Sequence, residues 1–97
     1  MTIRQFRRKI DALDRQIVQL LSRRARCSLA IGLLKHAAGL PLFHRRREQQ
    51  ISRNVRRANP GPLSDLALDH LFTEILRLTR AAVRAELRRQ SARRAKA

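Results

Sequence analysis

The sequence predicts an all-α chain of three helices, with a long first helix, a short second helix and a medium-long third helix. Apolar residues recur at helical spacing, two groups of Gly and Pro interrupt the pattern, and no stretch alternates as a β-strand would. At 97 residues the chain is long enough for one small domain.

The first helix is predicted from about Thr2 to Ala38, since no Pro interrupts that stretch. At 1.5 Å per residue it would be about 50 Å long, which exceeds the width of a domain of this size. One chain cannot cover such an apolar stripe, so we expect oligomerisation, most simply as a two-fold dimer. Gly32 inside the helix suggests a close approach of another backbone, because Gly otherwise disfavours a helix.

Gly39 and Pro41 are expected to end this helix. The second helix is predicted from about His44 to Ala58, and the Asn59-Pro60-Gly61-Pro62 segment ends it. The third helix should begin after Ser64, a good N-cap, with Asp65 at the positive end of its dipole. We expect residues 1–87 to form the helical domain. Residues 88–97 should form a basic, frayed and mobile tail.

The chain carries 23 Lys and Arg residues against 7 Asp and Glu residues, a formal charge of +16. This excess predicts attraction to anions without saying which anion. The lone Cys27 suits a reducing compartment and is expected in the core. No apolar run is long enough to span a membrane and no signal-peptide pattern begins the chain, so the sequence favours a cytoplasmic protein without membrane contacts.

The sequence lacks the residue patterns that several kinds of catalysis and metal binding need. His36, His44 and His70 are scattered, so no metal site is expected. No nucleophile elbow and no Gly-rich phosphate loop occur, and no cofactor is predicted.

Arg24 and Lys35 lie three turns apart, near the centre of the apolar face of the first helix. A charge on such a face is costly unless it meets an opposite charge. The two side chains could reach solvent at their tips, or pair with an internal carboxylate such as Glu48. Two cations in register, with few acidic residues available, favour instead a pocket for an anionic ligand.

If that pocket exists, its residues are Arg24, Lys35, Arg47 and the carboxylate Glu48. Such a set can bind an anion and stabilise charge that develops in a unimolecular rearrangement, but it is badly equipped for hydrolysis or redox chemistry. Arg7 lies about 100° around the helix from Arg24 and cannot face the same pocket. In a two-fold dimer Arg7 could reach the pocket of the partner, or it could be a solvated arginine.

Five motifs, in order and correctly spaced over residues 4–83, resemble the all-helical class of chorismate mutases. They are Phe6 to Asp14, Leu20 to Arg24, Ile31 to Lys35, Arg47 to Gln49 and Asn59 to Asp65.

The resemblance implies an intertwined homodimer of three-helix chains that converts chorismate, a dicarboxylate of the shikimate pathway, to prephenate without a cofactor. Arg24 and Arg47 would bind the substrate carboxylates together with Arg7 of the partner chain. Lys35 would donate to the ether oxygen, and Glu48 would accept from the ring hydroxyl. Because no other enzyme segment is fused to the motifs, a monofunctional protein of aromatic amino acid biosynthesis is expected.

Three further substrate-binding positions follow from the resemblance. Thr79 stands where the family has a small hydroxyl residue near a carboxylate, and this exchange is mild. His44 replaces an Asp near the ring hydroxyl. Val83 replaces the Gln or Glu that gives a second hydrogen bond to the ether oxygen, a loss worth about 10²- to 10³-fold in rate.

These departures leave other functions open. The chain could be a mutase for 4-amino-4-deoxychorismate, a lyase releasing pyruvate from isochorismate, or a ligand-binding homologue with little or no activity. A nucleic-acid-binding protein is a further alternative because of the charge, although the chain lacks aromatic stacking platforms and a reading motif. Nucleic-acid affinity that survives deletion of residues 88–97 would favour it.

Overall fold

In the computed structural model, which describes residues 1–96, the chain is all-α with three helices. They are α1 (Ile3–Ala37), α2 (Arg45–Ala58) and α3 (Asp65–Lys96). The predicted fold class is thus confirmed at the level of one chain, and the predicted helix bounds are correct to one residue except at the end of α3. Helix α3 packs against both other helices.

Helix α1 begins and ends as the sequence predicts. Thr2 Oγ1 accepts from the Gln5 backbone N–H at 3.2 Å, and Gln5 Oε1 accepts from the Thr2 N–H at 2.8 Å, which forms a capping box. At the other end Gly39 has φ +70°, and Leu40 N–H donates to Lys35 C=O at 2.8 Å. This left-handed residue closes the helix with backbone hydrogen bonds and turns the chain toward α2.

The connection from α2 to α3 is held by Asn59. Its side chain accepts from Gly61 N–H and donates to Leu63 C=O and to Asp65 Oδ1, each at 2.9 Å. Ser64 Oγ accepts from Ala67 N–H at 3.1 Å, which confirms Ser64 as the N-cap of α3.

The C-terminal stretch differs from the prediction, because α3 continues through Lys96 instead of fraying from Arg88. No Gly or Pro follows Pro62 to stop it, and the residues are mostly strong helix formers. Glu86 also accepts from Arg89 Nε at 2.9 Å and from Arg93 Nη2 at 3.2 Å, pairs that lie along one helix face. The division into a domain of residues 1–87 and a tail stays a prediction.

A core is nearly absent from the single chain. Within residues 1–96, Val83, at 6% exposure, is the one buried hydrophobic side chain. It packs against the buried Gly32, where a methyl group would overlap Val83 Cγ1. The close approach at Gly32 is thus made by a side chain, and not by the backbone that the sequence suggested; the contact joins α1 to α3.

Most of the apolar stripe of α1 remains uncovered. Cys27, which was expected in the core, is exposed because none of residues 1–96 covers that side of α1. The chain measures 59 × 30 × 15 Å, an elongated shape that leaves much of α1 without a neighbour. The stripe residues Ile10, Leu13, Ile17 and Leu20 are 52 to 58% exposed.

Candidate functional site

A cavity of about 160 Å³ lies where α1, α2, α3 and the loop after α1 meet. Five cationic side chains line it together with one carboxylate, that of Glu48. Such an excess of positive charge in a partly enclosed space attracts an anion. The cations are Arg24, Lys35, Arg47, Arg80 and Arg84.

Arg24 and Lys35 reach this cavity from α1, as their spacing predicts. Arg24 Nη1 is buried and has no hydrogen-bond partner among the described residues. Lys35 is half-buried, and its Nζ makes a long hydrogen bond of 3.5 Å to Leu42 C=O, in the loop that precedes α2. Neither cation pairs with Glu48, so the alternative of an internal ion pair for them is wrong.

The first turn of α2 contributes three residues to the cavity wall. His44 is the N-cap, and its Nδ1 accepts from Arg47 N–H at 3.1 Å. An imidazole that accepts at Nδ1 in this way carries its proton on Nε2. Arg47 is exposed, and its Nη1 donates to Gln50 Oε1 at 2.8 Å.

Glu48, the third of these residues, forms an ion pair with Arg80 of α3. Both side chains are 30% exposed. The Arg80 guanidinium carbon also lies 5.6 Å from the centroid of the Phe43 ring, within the range of a cation–π interaction. Glu48 is therefore tied to α3 before any ligand arrives.

Helix α3 also places Thr79 and Val83 on the cavity, one turn apart. Thr79 Oγ1 donates to Ile75 C=O at 2.6 Å, so its hydrogen is directed to its own helix and its oxygen remains an acceptor. Val83 gives this wall an apolar surface beside Gly32, and it offers no donor.

The structure brings together every predicted site residue except Arg7. Arg7 is exposed on α1, about 25 Å along the helix from Arg24, and does not line the cavity. Sequence reasoning missed Arg80 and Arg84. They lie beside the apolar stripe of α3, one residue after Thr79 and one after Val83, and this position does not distinguish a cation that lines a cavity from a solvated one.

Two further features bear on the chemistry. Among residues 1–96, no three His, Cys, Asp or Glu side chains are grouped so that they could hold a metal ion. In the same part of the chain, none of the helices has an apolar run long enough to cross a membrane.

Comparison with known proteins agrees with this geometry. The model of the family described as chorismate mutase type II matches residues 6–84. The bifunctional chorismate mutase/prephenate dehydratase of Aquifex aeolicus is 33% identical over 78 residues, which cover 76% of this chain and 22% of that protein. The protein of the same name from Pseudomonas aeruginosa is 32% identical over 79 residues, with the same two shares. The chain thus spans about a fifth of the length of these curated relatives.

A solved structure of similar size shares the fold. Chorismate mutase from Thermus thermophilus, in its form II structure, is 35% identical with a TM-score of 0.77, over 79% of this chain and 88% of that one. The matched family segment contains every residue that lines the cationic cavity. This chain belongs to the type II family of chorismate mutases.

Proposed function

We propose that this chain catalyses the Claisen rearrangement of chorismate to prephenate, in a site completed by a second copy of the chain. The observation that carries the proposal is the buried Arg24 Nη1, which lacks a hydrogen-bond partner within residues 1–96. A buried donor without a partner costs free energy, and more so when it is charged. A substrate carboxylate at this point would remove that cost through a charge-assisted hydrogen bond.

Two neighbouring cations, Arg47 and Lys35, would bind the second carboxylate and the ether oxygen of the substrate. Arg47 lies at the exposed side of the cavity, where it can give up Gln50 to bind the second carboxylate. Clamping both carboxylates favours the folded conformer in which the new C–C bond forms. Lys35 uses one long hydrogen bond and has other N–H donors to offer to the ether oxygen, where negative charge grows as the C–O bond breaks.

The carboxylate and the imidazole would recognise the ring hydroxyl. Glu48 accepts, because an ionised carboxylate offers several lone pairs and Arg80 occupies one of its oxygens. His44 keeps the N-cap function and has its Nε2–H free of that bond. The replacement of Asp by His thus preserves the start of α2 while changing an acceptor into a donor.

The part of the cavity wall formed by α3 offers the substrate few hydrogen-bond donors. Thr79 can accept but would have to leave Ile75 before it could donate to a carboxylate. Val83 leaves Lys35 without the second donor that the family resemblance implies at that position. We therefore expect a slow chorismate mutase.

A two-fold dimer is part of this proposal. The chain exposes 8258 Å², whereas a compact monomer of its 11.3 kDa mass would expose about 5,700 Å². The difference of roughly 2,500 Å² falls in the range that obligate homodimers bury. Association along the stripe of α1 would cover it and could bring Arg7 to the cavity of the partner. Cytoplasmic localisation stays a prediction of the sequence.

The direct test incubates purified protein with chorismate and follows chorismate loss together with prephenate and pyruvate formation. We expect prephenate, and we expect Arg24→Ala to lower kcat/KM roughly 10²- to 10³-fold because it removes a buried charged contact. Arg53→Ala is the control, since it removes an exposed charge from α2 outside the cavity and should change little.

The alternatives give different products. Pyruvate from isochorismate would identify a lyase, and turnover of only the 4-amino analogue would identify the related mutase. Chorismate that binds but persists at high protein concentration would identify a ligand-binding homologue. Any of these results, or equal activity of Arg24→Ala and Arg53→Ala, contradicts the proposed reaction.

A further inference from the structure

Arg80 links the loop before α2, α2 and α3 at the edge of the cationic cavity. Its guanidinium donates to Glu48 Oε2 and lies over the Phe43 ring. The two contacts come from different segments, so they fix both the position and the plane of the guanidinium. We propose that Arg80 is a positioning residue that holds the Glu48 carboxylate away from the substrate-binding cations. This inference rests on the proposed function.

The reason lies in the competition for Glu48. Among the described residues it is the one carboxylate that lines the cavity, and four other cations line the same space: Arg24, Lys35, Arg47 and Arg84. Without Arg80, the carboxylate would turn toward one of them, since opposite charges attract strongly in a partly desolvated site. It would then occupy a cation that the substrate needs, and it would leave the ring hydroxyl.

The hydrogen bonds agree with a restraining role. The side chains of Lys35 and Arg47 donate to neutral oxygens, those of Leu42 and Gln50. The cationic charges of these side chains thus remain available to a ligand. Arg80 is charge-balanced by Glu48, so it adds little net charge to the cavity.

Arg80→Met tests this role, because it removes the charge and keeps an unbranched apolar stem. We expect kcat/KM for chorismate to fall roughly 10- to 100-fold, since a small displacement of a positioning group has an effect of this size. KM should rise because the substrate carboxylates compete with Glu48, and kcat should fall because the ring is less well oriented. Arg80→Lys keeps the charge and should recover part of the loss.

A double-mutant cycle separates positioning from direct contact. If Arg80 acts through Glu48, then Arg80→Met should lower kcat/KM less than about 2-fold when Glu48 is already replaced by Gln. In that background no carboxylate remains that could turn toward the other cations. An equal loss in both backgrounds would show that Arg80 contacts the substrate or serves only the fold, and would overturn the inference. So would unchanged kinetics of Arg80→Met.

The control is Arg77→Met, one turn earlier on α3, where Arg77 pairs with Glu74 outside the cavity. It should leave kcat/KM unchanged. If the wild-type chain does not form prephenate, the proposed reaction fails, and the same cycle is then measured by calorimetric affinity for chorismate. Non-additive changes in the binding free energy of the two substitutions would support the role of Arg80 even then. Additive changes, or no binding at all, would overturn it.

Discussion

Under the proposed function, Val83 limits how fast this site can work. It is buried against Gly32, on the turn of α1 that precedes Lys35, and it presents methyl groups to the cavity. An enzyme that stabilises developing charge with preorganised donors loses much of its rate when one donor is missing. In this chain Lys35 would stabilise the breaking C–O bond nearly alone.

Val83→Gln should therefore raise kcat, by on the order of 10²-fold, because its amide can donate to the ether oxygen. Val83→Met is the matched control, since it has a similar length and no donor. Steady-state formation of prephenate measures both. Equal gains in the two variants would mean that cavity shape, and not the donor, limits the rate.

Single residues show where sequence reasoning succeeds and where it stops. Arg24 and Lys35 are predictable because a regular helix places residues three turns apart on one side. Arg80 is not, because a single cation beside an apolar stripe looks the same whether it is solvated or paired. Its pairing with Glu48 depends on how α2 docks on α3, and that docking is not local information.

At the scale of the helices, residues that are close in sequence determine where most helices begin and end. The left-handed Gly39 and the N-cap Ser64 act on residues a few positions away, so the sequence predicts both. The capping box at Thr2 is equally local, although it was found only in the structure. The end of α3 is different. The prediction of a frayed tail rested on the basic charge and the small residues of that stretch, whereas Glu86 pairs with Arg89 and Arg93 along the helix.

The docking of α2 on α3 should depend on pH through Asp69. Hydrogen bonds from Arg56 Nε at 3.1 Å and from Ser52 Oγ at 2.9 Å hold the pKa of Asp69 below its ordinary 3.8, with Arg56 the larger cause. A lowered native pKa stabilises the fold fully above the unfolded-state pKa, and this contribution is lost as the pH falls below about 3.8 toward the native value.

Asp69→Asn should thus lower the free energy of unfolding at pH 7, and the difference from the wild type should shrink as the pH falls below about 3.8. Urea denaturation at a fixed protein concentration measures this. The exposed Asp11→Asn serves as the control and should follow the wild type at every pH. A difference that stays constant with pH would show that the carboxylate charge does not stabilise the docking of α2.

At the scale of the molecule, the exposed surface argues for assembly. A chain in which Val83 is the one buried hydrophobic side chain among residues 1–96 has almost no core of its own. The sequence predicts that the chain needs a partner, since a helix of 35 residues is too long for one small domain to cover. Whether a second chain contributes to the site depends on how two chains cross, and residue spacing within one chain does not contain that information.

Mixing two inactive variants tests most directly the central claim, that each site is a chorismate mutase site built from two chains. Arg7→Ala and Arg24→Ala should each be nearly inactive alone. After they are unfolded and refolded together, half of the dimers would be mixed, and each mixed dimer would have one intact site. Activity should therefore return to about a quarter of the wild-type value. Arg24→Ala refolded with Arg47→Ala is the control and should recover nothing, because both residues belong to the same chain's site. Full activity of Arg7→Ala alone, or no recovery in the first mixture, would contradict the claim.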